Sequence, residues 1–423
     1  MSLLIKNACR VIKDNELENV DVLIKDNKIM GIGKICPFAD NVIDAAGALL
    51  TPGFIDVHVH LREPGYEAKE TIATGSKAAA HGGYTTICAM PNTNPSPDTL
   101  EKLNRVQEII KKSAIIRVYS YAPITVGLKT ESLTDFKRLK DNGAFAFTND
   151  GVGVQSSAVM YEAMKYAKKI NAIIVAHAED ENLKLGGIMH EGSQSKKLQL
   201  PGIPSICESS QVSRDLLLAE ATGVHYHVCH VSAKETVRII RDAKRAGIHV
   251  TCEVTPHNLL LCDEDLQSID PNFKMNPPLR SKEDRSALIE GLLDGTIDII
   301  VTDHAPHTKE EKNKGILDAP FGVVGLETAF PVLYTKLVKS GILTLQKLLS
   351  LMSARPADIF KLPRGKIEIG EIADLTLIDL NKQTTIDPRN FASKSSNSPF
   401  IGWEVYGETV MTIVDGSIVW KRG

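Results

Sequence analysis

The sequence predicts an α/β fold, a (β/α)8 barrel of the TIM type beside a small β domain built from both chain termini. Two patterns carry this prediction. The middle of the chain alternates about eight short apolar runs with helical stretches, and both ends alternate β-rich runs with turn signals. The 423 residues, of which 43% are hydrophobic and 24% charged, can also bury the large core that such a barrel requires.

The two ends of the chain share one local pattern, in which short β-rich runs are separated by turns such as Asp26-Asn27 and Asp415-Gly416. We therefore expect both ends to contribute to one sheet. The expected composite β domain comprises residues 1–51 and 366–423, around a barrel domain at 52–365. The β-rich runs of the ends are 3–5, 20–24, 28–32, 373–378, 410–414 and 417–420.

The barrel domain is expected to place its catalytic groups at the carboxyl ends of its strands, as barrels of this type do. Its predicted strands are 53–59, 85–90, 115–122, 144–147, 172–176, 226–229, 249–254 and 297–302. The residues at or just beyond the ends of these strands are unusually polar: His58, His60, Arg62, Asn92, Asp150, His177, His230, Asp303, His304 and His307. This concentration predicts one site at the barrel mouth.

Five of these side chains predict a metal centre. His58 and His60 are two residues apart on a strand, so both imidazoles point to the same side and can chelate one ion. His177, His230 and Asp303 each follow an apolar run to the same rim. A single residue of this kind is more often structural, but five together favour ligation. Imidazole and carboxylate without thiolate are typical of a catalytic site for zinc, manganese or another first-row cation.

Charge and cysteine content exclude other classes of protein. The 49 Lys and Arg residues against 52 Asp and Glu leave a formal net charge of -3, without the cation excess of a nucleic-acid binder. No apolar run approaches the roughly 20 residues of a membrane span, and no signal peptide is evident, so we expect a cytoplasmic protein. The seven cysteines form no CxxC pair; we expect them to be reduced and assign none to the site.

Four motifs then resemble one known family. Residues 56–65 (DVHVHLREPG) resemble the metal motif of the amidohydrolase superfamily in its dihydroorotase form. Residues 275–280 (MNPPLR), 303–307 (DHAPH) and 321–328 (FGVVGLET) resemble further motifs of that family, in the same order. The resemblance spans nearly the whole chain, and the sequence is most similar to the longer bacterial class I type. It implies that the small terminal domain is a β-sandwich.

The resemblance also implies a set of metal ligands. It places His58 and His60 on a more buried zinc ion and His177 and His230 on a more exposed one, with one or two ions bound and two favoured. Many relatives bridge the two ions with a carboxylated lysine, but residues 145–155 contain no lysine. Asp150 is therefore expected to bridge, although Asn149 replaces the first aspartate of the usual Asp-Asp pair. The alternative is that Asp150 only caps a turn or helix beside a glycine.

The implied reaction is the reversible hydrolysis of L-dihydroorotate to N-carbamoyl-L-aspartate in de novo pyrimidine (UMP) synthesis. A bound cation lowers the pKa of water from 15.7 to about 7 and so supplies hydroxide at neutral pH. Asp303 is expected to act as the general base and then as the general acid. The substrate carboxylate is assigned to Arg62, Asn92 and His307, the ring amide to Asn276, and the remaining contacts to backbone groups at Phe321 and Gly322.

Two alternatives stay open at this point. The first is another cyclic amidohydrolase, such as a dihydropyrimidinase, hydantoinase or allantoinase, although these normally carry the bridging lysine and lack the 275–280 motif. The second is a non-catalytic dihydroorotase-like partner of aspartate transcarbamoylase. By family alone we expect a homodimer acting on a small molecule, and association with aspartate transcarbamoylase stays open.

Further candidates surround the proposed site. Asp56, His257 and His304 are candidate partners of the metal ligands, because bound imidazoles and carboxylates require such support. The charged run 309–314 is expected to be a solvated loop that moves as a lid over the site.

Overall fold

The computed structural model describes residues 2–35, 38–363 and 365–423. Cys36, which is also expected to be reduced, lies outside the described residues. The cysteines of the described ranges are free and buried. Within those ranges, every helix is too short or too polar to cross a membrane.

Strands and helices alternate through the middle of the chain, and strands dominate its ends. The strands are β1 Ser2–Lys13, β2 Glu16–Lys25, β3 Lys28–Gly33, β4 Asn41–Asp44, β5 Leu49–Pro52, β6 Phe54–Val59, β7 Tyr84–Ala89, β8 Arg117–Ser120, β9 Phe147–Thr148, β10 Ile173–Ala176, β11 Met189–His190, β12 Gly202–Ile203, β13 His225–Val228, β14 Val250–Val254, β15 Ile299–Ile300, β16 Leu375–Thr385, β17 Glu404–Val414 and β18 Ser417–Lys421.

The helices lie mostly between the barrel strands. They are α1 Ile72–His81, α2 Leu100–Ser113, α3 Phe136–Asp141, α4 Ser157–Lys169, α5 Glu181–Lys184, α6 Ser193–Leu198, α7 Ile206–Thr222, α8 Lys234–Arg245, α9 Pro256–Leu260, α10 Lys282–Asp294, α11 Lys309–Lys312, α12 Ala329–Leu333, α13 Leu345–Met352 and α14 Ala354–Phe360. Helix α8 illustrates how they pack: Val237, Ile240 and Ala243, at helical spacing, are buried, whereas its last turn is basic.

The central strands form a parallel barrel, as predicted. Strands β6, β7 and β8 form one parallel sheet, and β9, β10, β13, β14 and β15 form another. Parallel bridges between Ala122 and Phe147 and between Val59 and His304 join the edges of these sheets and close the ring. Two strands are shorter than expected, since 144–147 contributes only to β9 and 297–302 only to β15.

The two chain ends share one sheet, as expected. Its strand order is β18-β17-β16-β5-β1-β2-β3, with β4 paired to β1. Strand β16 pairs antiparallel with β5, with Leu377 opposite Leu50. Both leucines belong to one buried cluster with side chains from β1, β2 and β17. Strands β4 and β5 were not predicted, because each has only four residues.

The terminal sheet leads directly into the barrel. A single residue, Gly53, separates β5 from β6. A Cβ at this position would lie 2.1 Å from the side chain of Thr85 in β7, so only glycine lets the chain pass so close to its neighbour. Strand β6, which carries the first predicted motif, therefore follows directly from the terminal sheet.

Candidate functional site

The residues predicted to bind the buried metal converge at the carboxyl end of the barrel. Asp303 Oδ1 lies 3.0 Å from His60 Nε2 and 3.5 Å from His58 Nε2. Asp150 lies 3.3 Å from His58 Nε2 through Oδ1 and 3.4 Å from His60 Nε2 through Oδ2. Both imidazoles of the β6 motif therefore point to one place, although residues 150 and 303 are far from them in the chain.

The residues predicted to bind the second metal lie next to the first group. His177 Nδ1 is 2.9 Å from His230 Nε2, and each of these nitrogens is 3.7 Å from Asp150 Oδ1. His230 and Asp303 both have a positive φ, of 28° and 47°, so each turns out of the extended strand direction that precedes it. Asp150 consequently faces both histidine pairs, which is the position that a bridging carboxylate requires.

The chemistry of this cluster fits a divalent cation. His58 Nε2 and Asp150 Oδ1 are buried without a hydrogen-bond partner, which is costly unless a ligand compensates them. Two groups of three potential ligand atoms, within 4.8 Å of one another, are His58-His230-Asp303 and Asp150-His177-His230. Histidine and aspartate without thiolate match the donor set expected from the sequence.

A third such group places Cys229 beside His58 and Asp150. No cysteine was expected at the site, so the position of Cys229 next to His58 and Asp150 was not predicted. Burial raises the pKa of Cys229 well above its ordinary value, and the carboxylate of Glu253 adds to this effect. The side chain is therefore a neutral thiol and packs in the barrel interior as a small apolar group.

The electrostatics of the cluster favour bound positive charge. Burial alone lowers the pKa of His58, but Asp150 and Glu253 outweigh burial and raise it well above its ordinary value. Conversely, burial raises the pKa of Asp150, but His58 and His230 hold it well below its ordinary value. A cluster that draws protons onto buried imidazoles in this way also attracts a metal cation, which displaces those protons when it binds.

Glu253 supports His58, a candidate metal ligand, and was not predicted from the sequence. It is fully buried in β14, its Oε1 lies 2.5 Å from His58 Nδ1, and its Oε2 lies 2.9 Å from His227 Nε2. This contact makes His58 Nδ1 the donor and leaves Nε2 directed at the metal site. The signal in the sequence was a single charged residue inside a short β-rich run. His227 is the second partner of this carboxylate.

We expect Glu253→Gln to weaken zinc binding by about 10- to 100-fold, because the amide cannot hold His58 and His227 as the carboxylate does. The measurement is zinc affinity by competition with a chromophoric chelator. Glu290→Gln, an exposed position on α10, is the matched control. Unchanged affinity in a folded Glu253→Gln protein would contradict the role assigned to this carboxylate.

The three candidate partners of the metal ligands differ in what they contact. Asp56 accepts hydrogen bonds from the backbone of His58 at 2.9 Å and of Thr302 at 3.0 Å, so it ties the β6 motif to the segment before Asp303. The imidazole of His304 lies 3.3 Å from Glu70, and its backbone carbonyl accepts a hydrogen bond of 2.8 Å from the backbone of His60. His257 is buried, its Nε2 has no hydrogen-bond partner, and burial lowers its pKa to about 4.

A cavity of about 180 Å³ opens beside the metal-ligand cluster. Every residue predicted to bind substrate contributes to its walls, so the cavity lies where the sequence motifs predicted a substrate site. Lys184 also lines it, which the sequence analysis did not predict. The predicted residues on its walls are Arg62, Asn92, Asn276, His307, Phe321 and Gly322.

Glu179 connects this cavity to the metal-ligand cluster. Its Oε1 accepts a hydrogen bond of 2.9 Å from Asn276 Nδ2, and its Oε2 accepts one of 2.9 Å from Lys184 Nζ. Oε2 also lies 3.5 Å from His177 Nε2. Burial raises the pKa of Glu179, but His177 and Lys184 outweigh it and lower the pKa to about 2. The spacing of two residues from His177 was the signal that could have identified this carboxylate.

Two predicted substrate ligands also have partners within the protein. Asn92 Oδ1 lies 2.9 Å from His60 Nδ1, so this side chain orients the imidazole of a candidate metal ligand as well as facing the cavity. His307 Nε2 donates to the carbonyl of Phe321 at 2.7 Å. Burial, together with the nearby Arg62 and Lys69, lowers the pKa of His307 to about 2, so its imidazole is neutral.

The prediction that 309–314 is a solvated loop is wrong for part of the segment. Residues Lys309–Lys312 form α11, whose first turn is capped by Thr308. Lys312 is only 5% exposed, because its side chain turns inward beneath the cavity wall. The charged side chains around it mask this feature in the sequence. The movement of the segment as a lid stays a prediction.

Comparisons with known proteins identify relatives over the whole length of the chain. Residues 47–236 match the family model described as Dihydro-orotase-like. Dihydroorotases of Geobacillus sp. (strain WCH70) and Halalkalibacterium halodurans are each 58% identical to this chain over 100% of its length, covering 100% and 99% of the relatives. The solved L-hydantoinase (dihydropyrimidinase) of Arthrobacter aurescens is 30% identical with a TM-score of 0.90, covering 100% of this chain and 96% of that one. The chain therefore belongs to the dihydroorotase family of the amidohydrolase superfamily.

Proposed function

We propose that the protein is a zinc-dependent dihydroorotase, which interconverts L-dihydroorotate and N-carbamoyl-L-aspartate in de novo pyrimidine synthesis. The observation that carries this proposal is the common cavity in which Arg62, Asn276 and His307 face the cluster containing Asp303. Cation, amide and neutral imidazole groups beside a metal-ligand cluster match a cyclic amide that carries a carboxylate. The full-length relatives named dihydroorotase support the same activity.

The metal site is proposed to hold two zinc ions. His58 and His60 are assigned to one ion, His177 and His230 to the other, and Asp150 to both, with Asp303 as a further ligand. The contacts of Asp150 with both histidine pairs support this assignment. When bound, such ions lower the pKa of water to about 7 and polarise a carbonyl group.

Asp303 is proposed to move the proton in both directions of the reaction. Burial raises the pKa of Asp303, but His58 and His60 outweigh burial and lower it, so the group is a carboxylate. It can therefore accept the proton of the attacking water and deliver it to the departing ring nitrogen. In the reverse direction, the same carboxylate removes the proton from the carbamoyl nitrogen as the ring closes.

Arg62 and Asn276 are proposed to orient the substrate. Arg62 Nε donates to the carbonyl of Pro306 at 3.2 Å, which fixes the guanidinium plane at the cavity wall. Its planar fork suits the two oxygens of a carboxylate. Because Asn276 Nδ2 donates to Glu179, its carbonyl oxygen is the atom offered to the ring N–H. Asn92, His307 and the Phe321-Gly322 backbone complete the proposed pocket.

The larger organisation follows from the same resemblance. We propose a composite β domain of residues 1–51 and 366–423 and a barrel domain of residues 52–365. The change from β5, which ends at Pro52, to β6, which begins at Phe54, supports the first of these boundaries. A cytoplasmic homodimer is proposed on family resemblance alone.

Hydrolysis of an uncharged cyclic amide is the second candidate, because solved hydantoinases share the fold. Two cationic side chains in the cavity, Arg62 and Lys184, favour a substrate with a carboxylate. Asp150 in place of a lysine between the histidine pairs also distinguishes this site from the lysine-bridged form.

Replacing Arg62 with alanine tests the proposed substrate. We expect the wild-type chain to hydrolyse dihydroorotate but not dihydrouracil, hydantoin or allantoin. In Arg62→Ala, the KM for dihydroorotate should rise by about 10- to 100-fold, because hydrogen bonds to a charged group are lost. The change in kcat should be smaller.

Arg105→Ala, at an exposed position on α2, is the control for loss of an arginine and should behave as wild type. Wild-type turnover of only the uncharged rings would contradict the proposed function. A normal KM in Arg62→Ala would contradict only the role of Arg62.

A further inference from the structure

One wall of the cavity is a backbone segment that tolerates little movement. Phe321 and Gly322 line the cavity, and Gly322 has a φ of +139°. A Cβ on Gly322 would lie 2.7 Å from the Ala305 carbonyl oxygen and 3.0 Å from His307 Nε2. The segment therefore lies directly against residues that follow the catalytic Asp303, and any displacement changes the shape of the cavity.

Side chains from other parts of the chain hold this wall in place. His307 Nε2 donates to the carbonyl of Phe321 at 2.7 Å, and Asn397 Nδ2 donates to the carbonyl of Gly322 at 2.9 Å. The amide of Gly322 donates to the carbonyl of Lys274 at 3.0 Å. The wall is thus fixed from the barrel rim and from the carboxyl-terminal region.

Lys312 makes the most extensive set of these contacts. Its ammonium group is buried and donates to the carbonyl oxygens of Lys274 at 3.2 Å, Pro320 at 3.1 Å and Gly322 at 3.0 Å. The three acceptors account for the three protons of the ammonium group. Burial and the nearby Lys274 lower the pKa of Lys312 to about 7, so holding the charge there has a free-energy cost.

A lysine at this position has two opposed effects on stability. Its ammonium group is costly to remove from water, but it donates to carbonyl groups, such as that of Pro320, which an apolar side chain would leave without this donor. A methionine of similar length would fill the same space without the cost of removing an ammonium group from water. The lysine also fixes the geometry of the wall. Its nitrogen atom binds the carbonyl groups on both sides of Phe321 and, at the same time, the carbonyl group of Lys274. It also attaches α11 to the cavity wall.

We propose that Lys312 is a positioning residue that sets the Phe321-Gly322 wall and thereby the affinity for the substrate. Lys312 does not line the cavity and acts through the backbone that does. This inference rests on the proposed function for its kinetic test. It adds a determinant of substrate binding that is separate from the metal ligands.

Lys312→Met tests the proposal, with Lys309→Met, an exposed lysine of the same helix, as the matched control. We expect Lys312→Met to raise the KM for dihydroorotate by about tenfold, with kcat within about twofold of wild type, the pattern of lost uniform binding. Zinc content should be unchanged. Hydrogen exchange should become faster in peptides covering 313–323, and Lys309→Met should match wild type in every measurement. Wild-type KM and exchange in Lys312→Met would overturn the proposal, as would a loss of kcat without a rise in KM.

The exchange measurement separates this proposal from the proposed function. If the wild-type chain does not turn over dihydroorotate, the proposed function fails, whereas unchanged exchange across 313–323 in Lys312→Met would still overturn the role of Lys312. If Lys312→Met does not fold, Lys312→Gln replaces it, because the amide keeps donors for part of the carbonyl set. Its KM should then lie clearly above that of wild type, and a wild-type KM would overturn the proposal.

Discussion

Asp303→Ala is expected to lower kcat for dihydroorotate by about 10³-fold, because the variant loses both the proposed proton carrier and a proposed metal ligand. The contacts of this carboxylate with His58 and His60 place it at the centre of the cluster. The measurement is steady-state hydrolysis of dihydroorotate together with the zinc content of the same sample.

Asp303→Asn separates the two proposed roles. The amide retains an oxygen for metal binding but cannot accept the proton, so we expect near-normal zinc content with kcat as low as in the alanine variant. Turnover close to that of wild type in either variant would show that another group moves the proton.

Removal of the metal is expected to abolish turnover and to lower the midpoint of thermal unfolding. Without a cation, buried acceptors such as Asp150 Oδ1 lack a partner, and a ligand that binds only the folded chain stabilises it in proportion to its affinity. The measurement is an unfolding scan of chelator-treated protein before and after addition of zinc.

Glu253→Gln is the matched comparison for that scan, since it should need more zinc to recover the same midpoint. A metal-free chain with the same midpoint and undiminished turnover would contradict the assignment of this cluster as a metal site.

The sequence was sufficient to locate the strands of the barrel approximately and to identify the polar residues at or just beyond their ends. Apolar runs such as 172–176 are long enough to be recognised locally, and parallel strands in a barrel bring their carboxyl ends to one rim. That geometry explains why His177 and His230 could be assigned to one site without any knowledge of distances. The common direction of His58 and His60 followed from the alternation of side chains along a strand, whereas the position of Asp150 beside them was an expectation from the family resemblance.

The supporting residues could not be predicted as readily, since their partners are distant in sequence. Glu253 contacts a histidine 195 residues away, and nothing near it in the chain indicates that contact. The charged residues next to Lys312 in the chain suggested that Lys312 is exposed, whereas its side chain is buried. Strands as short as β9 and β15, each of two residues, depend on neighbouring strands for their hydrogen bonds rather than on local sequence preference.

The most direct test of the account is a zinc titration of the metal-free wild-type chain, with dihydroorotate turnover measured at each step. We expect turnover to rise with added zinc and to reach its maximum at two ions per chain. A maximum at one ion would keep the activity and contradict the bridging role of Asp150. No turnover of dihydroorotate at any zinc concentration would contradict the central claim that this cluster and cavity form a dihydroorotase active site.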